Sequence, residues 1–103
     1  MSYESKLQEG CNKFLRMNDI LFLHREKGRG GRMQKYMRSD GFPDLVIFQD
    51  YKKTFFIELK SIGESLSTEQ VKWAYRARQR GFKYYVCYSY VEFLTEMKEE
   101  NIA

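Results

Sequence analysis

The sequence predicts a single α/β domain over residues 1–103, built from a mixed β-sheet with flanking helices. Short runs rich in Val, Ile, Phe and Tyr alternate with segments in which apolar residues recur every three or four positions. The composition, with 43% apolar and 31% charged residues, is ordinary for a globular domain. No run approaches the ~20 apolar residues needed to span a membrane. The predicted element order is α-β-loop-β-β-α-β-α.

The first part of the chain is predicted to hold one helix and one short strand. In residues 3–16, Leu7 and Cys11 belong to an apolar face with helical spacing. Residues 20–24 (ILFLH) follow as a strand. Residues 25–41 contain four glycines and many charges without any periodicity, so a long loop is predicted there.

A β-hairpin and a capped helix are predicted next. Residues 45–49 and 54–60 are β-prone and are separated by a short polar turn, which favours antiparallel pairing. A helix is then expected over 67–79, because Ser67 and Gln70 have capping-box spacing. Gly81 suits the end of that helix. One face of this helix is expected to consist of Val71, Ala74, Tyr75 and Arg78.

The last third of the chain is predicted to form a strand and a helix. Residues 82–89 (FKYYVCYS) are β-prone, and residues 91–101 have helical spacing with Phe93, Leu94 and Met97 facing inward. The aromatic content of 17% is expected to serve mainly the core, with the excess available for a subunit interface.

The cysteines and the histidine do not have the spacing of a metal site. Cys11 and Cys87 are expected to be small core residues, and His24 a structural residue at the end of a strand. The first ten residues, MSYESKLQEG, lack the apolar centre of a secretory signal, so an intracellular protein is expected.

Positive charge is concentrated in one segment. Between residues 25 and 38 there are six basic residues and one acid, in a chain of net charge +4. Such a segment is a candidate phosphate-binding surface, and the alternative is a solvated basic loop without a ligand. The candidate nucleic-acid-binding residues are Arg25, Lys27, Arg29, Arg32, Lys35 and Arg38.

Charged residues also interrupt the predicted hairpin. Glu58 and Lys60 are two apart in one strand and therefore point to the same side, which is expected to be an open face opposite Phe56 and Ile57. Asp44 begins the neighbouring strand and is expected to come close to Glu58. Two converging carboxylates beside an ammonium suit a divalent cation and phosphodiester hydrolysis, whereas the alternative is a solvent-facing salt bridge.

The order of these motifs resembles the PD-(D/E)xK nuclease superfamily, and specifically its virus-type replication–repair nuclease (VRR-NUC) branch in a minimal, stand-alone form. The resemblance rests on an N-terminal helix with an acid, then GFPDL, FIELKS and LSTEQVKW, and it covers nearly the whole chain. It implies a restriction-endonuclease-like fold and a Mg²⁺- or Mn²⁺-dependent DNA endonuclease.

The resemblance also implies roles for individual residues. Asp44 and Glu58 match the metal-binding carboxylates, Lys60 the catalytic lysine, and the carbonyl of Leu59 a further metal ligand. Gln70 matches the glutamine near the catalytic centre, although its alternative role is to cap the helix with Ser67. The helix-borne acid is either Glu4 or Glu9, and Glu4 is favoured because it shares the face of Leu7 and Cys11.

Small stand-alone members of the family imply a homodimer acting on branched DNA, such as Holliday junctions, in DNA repair. The expected location is the cytoplasm of a bacterial or phage-infected host. Two other interpretations stay open at this point. One is a nicking or restriction-like nuclease on the same fold, and the other is a non-catalytic DNA-binding module.

Overall fold

The computed structural model describes residues 2–25, 41–50 and 53–102. Within these ranges, three helices and four strands form one α/β unit, which confirms the predicted fold class. Most of the basic segment lies outside the described residues, and only Arg25 is inside them. The elements in chain order are α1 (Tyr3–Met17), β1 (Leu21–His24), β2 (Leu45–Asp50), β3 (Lys53–Leu59), α2 (Thr68–Gln79), β4 (Lys83–Cys87) and α3 (Tyr90–Glu99).

The described strands form one mixed sheet in the order β1-β2-β3-β4. β2 pairs antiparallel with both β1 and β3, so the predicted hairpin is confirmed. β3 and β4 are parallel and are connected through α2. The carboxyl ends of β3 and β4 therefore lie at one edge of the sheet, where open α/β sheets place their ligands.

Apolar side chains cover both faces of the sheet. On one face, α1 and α3 pack against alternate strand residues that include Leu45, Ile57 and Leu59. On the other face, α2 packs against a smaller cluster that includes Phe56 and Tyr84. The alternation of β3 side chains thus divides the core into two layers.

The face that α2 buries differs from the predicted one. Ala74 and Ala77 are buried and Trp73 packs beside them, whereas Val71 and Tyr75 are 52% and 62% exposed. The two alanines let the helix axis approach the aromatic side chains of β3 and β4, and Trp73 fills the flank. Small residues, rather than the larger apolar ones, therefore mark the inward face.

The boundaries of α2 agree with their predicted signals. Ser67 and Gln70 form the complete capping box of α2, and Ser89 caps α3. Gly81 has φ +87° directly after the α2 C-cap residue, a conformation that glycine adopts without steric cost. Both cysteines are buried and free, as expected for core residues. In the described part of the chain, no helix has the length and apolarity needed to cross a membrane.

Candidate active site

Asp44 is held at the start of β2 by its neighbours on both sides. Its carbonyl oxygen accepts a hydrogen bond from the Arg25 N–H at 2.8 Å. Its carboxylate Oδ2 accepts another from the Leu59 N–H, also at 2.8 Å. The side chain is only 1% exposed, so this acid lies inside the protein rather than on the hairpin surface.

The strand register brings Asp44 next to Glu58. Leu45 pairs with Ile57, and continuing this antiparallel register by one residue places Asp44 opposite Glu58. Residues opposite each other in an antiparallel pair have Cβ atoms ~4.5–5.5 Å apart. The two acids therefore meet at the edge where β3 ends.

Glu58 near the end of β3 and Lys60 directly after it lie on the side of the sheet covered by α2. Glu58 is 2% exposed, so the prediction of an open face is wrong at this residue. Phe56 packs with the α2 layer and thus shares the face of Glu58, rather than the opposite one. The cause is α2, whose first turn covers the end of the strand.

Lys60 supplies positive charge beside Glu58. Its Nζ lies 4.0 Å from Glu58 Oε2, and its side chain is 11% exposed. The Lys60 N–H donates to the Cys87 carbonyl at 3.0 Å, which extends the β3–β4 ladder by one residue. The backbone at Lys60 is thereby fixed, while the ammonium keeps limited access to solvent.

Gln70 connects the first turn of α2 to the buried acid. Its Oε1 accepts from the Ser67 N–H at 2.8 Å, and its Nε2 donates to Glu58 Oε2 at 2.8 Å. The capping interaction therefore fixes which end of the amide faces Glu58. The two roles considered for Gln70 from the sequence, helix cap and neighbour of the site, occur together in one side chain.

Gly41 brings the loop before β2 against α2. Its φ is +82°, and a Cβ at this residue would lie 2.3 Å from the Glu69 carbonyl oxygen and 2.9 Å from Gln70 N. Only a residue without a side chain fits this contact. The chain that carries Asp44 and the helix that carries Gln70 are therefore held together by backbone packing.

The helix-borne acids of α1 lie in different surroundings. Glu4 is half-buried, and its Oε2 accepts a hydrogen bond from the Ser61 hydroxyl at 3.3 Å, next to Lys60 in the chain. Glu9 is exposed on a surface that it shares with Lys6 and other polar residues of α1. Of the two, Glu4 is the one that contacts the segment carrying the site.

A further acid near Lys60 was not predicted from the sequence. Hydrogen bonding by the Ser61 hydroxyl, contact with Glu4 and the charge of Lys60 lower the pKa of Glu64 below its usual value. Its carboxylate consequently stays ionised at neutral pH. Glu64 lies in an irregular segment between β3 and α2, where periodicity gives no signal.

Tyr84 lies under the carboxylates and was predicted only as a core residue. Burial raises its pKa above the usual value, and the charges of Glu58 and Asp44 raise it further. The phenol therefore stays protonated. This residue is 3% exposed and adds apolar surface beneath the site.

The donor set suits a hard divalent cation. Across the described ranges, no three His, Cys, Asp or Glu side chains converge closely enough to hold a metal by themselves. Mg²⁺ is commonly held by one or two carboxylates together with water and substrate oxygens. Asp44 and Glu58 are two such carboxylates, and both are nearly inaccessible to solvent. The carbonyl of Leu59 lies between Glu58 and Lys60 along the strand.

The predicted phosphate-binding residues can be placed only in part. Arg25 Nη1 donates to the Phe42 carbonyl at 3.2 Å and thereby packs its guanidinium against the loop before Asp44. The other five basic residues, Lys27, Arg29, Arg32, Lys35 and Arg38, lie outside the described residues. His24 is the last residue of β1, the position predicted for it.

Comparison with known proteins supports the assignment of this chain to a family. The model of the VRR-NUC domain family matches residues 8–90, a range that includes the GFPDL, FIELKS and LSTEQVKW motifs and excludes Glu4. A comparison with curated protein sequences returns no relative. A solved structure described as a VRR_NUC domain has the same fold, with a TM-score of 0.69, 20% identity and coverage of 96% of this chain and 97% of that chain. The chain therefore belongs to the VRR-NUC domain family, a nuclease family of the PD-(D/E)xK type.

Proposed function

We propose that this domain is a Mg²⁺- or Mn²⁺-dependent endonuclease that hydrolyses DNA phosphodiester bonds. The observation that carries the proposal is the convergence of Asp44 and Glu58, which are 1% and 2% exposed, beside the ammonium of Lys60. Burial of two acids as a packing arrangement is unfavourable, because removing charge from water is costly. Binding of a cation by the two carboxylates would offset this cost.

Asp44, Glu58 and the Leu59 carbonyl are the groups that would hold the cation. When bound, a divalent cation would neutralise the two carboxylates and polarise the phosphoryl group of the substrate. Glu4 is a further candidate ligand at the same end of the sheet, through its contact with Ser61.

Lys60 and Gln70 are assigned the remaining roles. The Lys60 ammonium would orient the attacking water through a hydrogen bond and stabilise the negative charge that develops on the phosphoryl oxygens. Gln70 keeps Glu58 in position by its 2.8 Å hydrogen bond to Oε2. Lys60 is thus proposed to act on substrate, whereas Gln70 is a positioning residue.

The proposed substrate is branched DNA, such as a Holliday junction, and the proposed active form is a homodimer. Both rest on resemblance to small stand-alone members of the family. A twofold-symmetric pair of sites suits a symmetric junction, because each copy would cut one strand. Action in DNA repair inside a bacterial or phage-infected cell belongs to the same proposal.

The test of substrate is cleavage of end-labelled four-way, flap and linear duplex DNA, side by side, with Mn²⁺ and with EDTA. Preference for the four-way junction is expected, with no cleavage in EDTA. A strong preference for linear duplex would contradict the junction assignment and leave a restriction-like nuclease. Light scattering checks the dimer, and a monomer at the concentrations that cut DNA would contradict it.

A further inference from the structure

We propose that the exposed side of α2 is a second DNA-binding surface, which holds the backbone of a DNA arm as it leaves the cleavage site. The inference rests on the proposed nuclease function. It adds a surface that lies outside the carboxylate site and outside the basic segment 25–38. The residues that define this α2 surface are Lys72, Arg76 and Arg80.

The charge of α2 is strongly positive and regularly arranged. Residues 68–80 contain four basic side chains, Lys72, Arg76, Arg78 and Arg80, and one acid, Glu69. The three residues of the α2 surface are spaced four apart, so they form one ridge with ~6 Å between successive positions. A regular row of cations suits the regular row of phosphates on a DNA strand.

The fourth basic residue of α2, Arg78, contacts Tyr84 of the neighbouring strand and is therefore assigned a structural role. Arg78 Nη2 donates to the Tyr84 carbonyl at 2.7 Å, and its guanidinium lies 5.5 Å above the Tyr84 ring. Lys72, Arg76 and Arg80 are exposed, and none of them forms an ion pair with another residue of the described ranges. Their charges are therefore not neutralised by an acid of the described residues, although Arg80 Nη1 donates to the carbonyl of Arg76 on the same helix.

An apolar cleft strengthens the field of this ridge. Arg76 and Arg80 line its rim, and Phe56, Trp73 and Phe82 supply its aromatic wall, around a volume of about 290 Å³. Clefts with low-dielectric walls and charge of one sign focus the electrostatic field and concentrate counter-ions. Arg80 Nη1 also donates to the Arg76 carbonyl at 2.9 Å, which holds the Arg80 guanidinium against the last turn of the helix.

The helix α3, on the other side of the sheet, has the reverse charge. In residues 90–100, four glutamates (Glu92, Glu96, Glu99 and Glu100) accompany one lysine, Lys98. α3 packs on the face of the sheet that α2 does not cover. A polyanion is therefore attracted to the α2 side and repelled from the α3 side, which orients DNA on the molecule.

The ridge begins at the end of α2 that contacts the proposed cleavage site, although Lys72 lies on the outward side of the helix. Gln70, in the first turn of α2, contacts Glu58, and Arg80 follows ten residues later, ~15 Å along the helix axis. DNA bound at the carboxylates would pass along α2 on its way out of the site. This continuity favours a DNA backbone over an unrelated acidic peptide.

The experiment measures binding of a fluorescein-labelled four-way junction in EDTA, so that no cleavage can occur. Arg76→Ala/Arg80→Ala is compared with Lys6→Ala/Lys13→Ala, which removes the same charge from exposed residues of α1. The α2 variant is expected to lose about tenfold in affinity, and the slope of log K against log salt should fall by about 2. The α1 control should change by less than twofold.

Equal losses in the two double variants would show an effect of net charge alone and would overturn the proposal. Unchanged DNA affinity with lost binding of poly-glutamate would assign the cleft to an acidic peptide and would also overturn it. Lys72→Ala, at an exposed residue, provides a second measurement if the double variant folds poorly, and its expected slope change is about 1. Because binding is measured without cleavage, failure here is distinct from loss of nuclease activity.

Discussion

The Gln70 side-chain amide joins the N-terminus of α2 to Glu58, because Oε1 accepts from the Ser67 N–H while Nε2 donates to Glu58 Oε2. Glutamate and glutamine are both common at this position of a capping box. Here the amide nitrogen Nε2 faces a buried carboxylate. The contact with Glu58, rather than helix capping alone, therefore explains why this residue is glutamine and not glutamate.

Gln70→Glu should therefore be more damaging than its conservative size suggests. The new carboxylate keeps the cap but directs its second oxygen at Glu58 Oε2. Loss of a hydrogen bond to a charged group costs about 1.5–3 kcal/mol, and repulsion between the two carboxylates adds to this. Urea denaturation at neutral pH should show the loss, and the deficit should shrink on acidification as one carboxyl becomes protonated.

Gln70→Ala serves as the reference for this prediction, since it removes the hydrogen bond without adding charge. We expect Gln70→Glu to be the less stable of the two at pH 7. Equal stabilities at pH 7 would show that Nε2 does not face Glu58.

Gly41→Ala should destabilise the protein and displace the proposed site. The substitution places a Cβ 2.3 Å from the Glu69 carbonyl oxygen at a residue with φ +82°. The left-handed conformation alone costs about 1–2 kcal/mol, and relief of the clash requires the loop and α2 to separate. Nuclease assays on the folded fraction should show activity falling together with stability.

Gly63→Ala is the matched control, because Gly63 has φ +90° and no atom lies within 4 Å of the added Cβ. It should show only the conformational cost, about 1–2 kcal/mol. If the two alanine variants were equally stable, the close contact of Gly41 with α2 would be refuted.

Glu100 should give the protein an acid-sensitive component of stability. Burial acts to raise its pKa, but hydrogen bonds from Lys83 and Tyr85 outweigh burial and lower the pKa below the usual value. A carboxylate with a depressed pKa stabilises the fold above its unfolded pKa, and this contribution is lost as pH falls through the folded value.

Glu100→Gln should therefore lower the free energy of unfolding by about 1–3 kcal/mol at pH 7, and the difference from wild type should shrink toward pH 3. Glu99→Gln, at the exposed neighbouring residue, should have a small effect at both pH values. A pH-independent difference for Glu100→Gln would contradict the assigned ionisation.

Arg29→Glu/Arg32→Glu tests the basic segment predicted from the sequence. Charge reversal should weaken DNA binding several-fold at low salt and reduce its salt dependence, while thermal stability is unchanged. Fluorescence anisotropy with a labelled junction provides the measurement. If the variant binds DNA at low salt with the affinity of the wild type, the segment is a solvated loop and not a DNA-binding surface.

The sequence was sufficient to predict the elements of the fold. The capping box and Gly81 have local signals, and each occurs where it was predicted. Antiparallel pairing of the two strands was enough to predict that Asp44 comes near Glu58. The exact register was not predictable, because an irregularity between Phe48 and Asp50 shifts the pairing by one residue.

Features that depend on packing between elements could not be predicted in the same way. The prediction of which face of α2 points inward was wrong at Val71 and Tyr75. Ala74 and Ala77 contribute little to a hydrophobic pattern, although their small side chains let the helix approach the sheet most closely. The burial of Glu58 depends on where the first turn of α2 lies. Glu64 lies in an irregular segment after Lys60, whose course has no periodicity to follow.

The central claim is that Asp44, Glu58 and Lys60 form a metal-dependent nuclease site. Its most direct test is Mn²⁺-dependent cleavage of a labelled four-way junction by the wild type, Asp44→Asn and Lys60→Ala, with binding in EDTA as the control. We expect cleavage by the wild type that EDTA abolishes, and a loss of at least 100-fold in rate for both variants, which should still bind the junction. Full activity in either variant, or no cleavage of any DNA by the wild type, would contradict it.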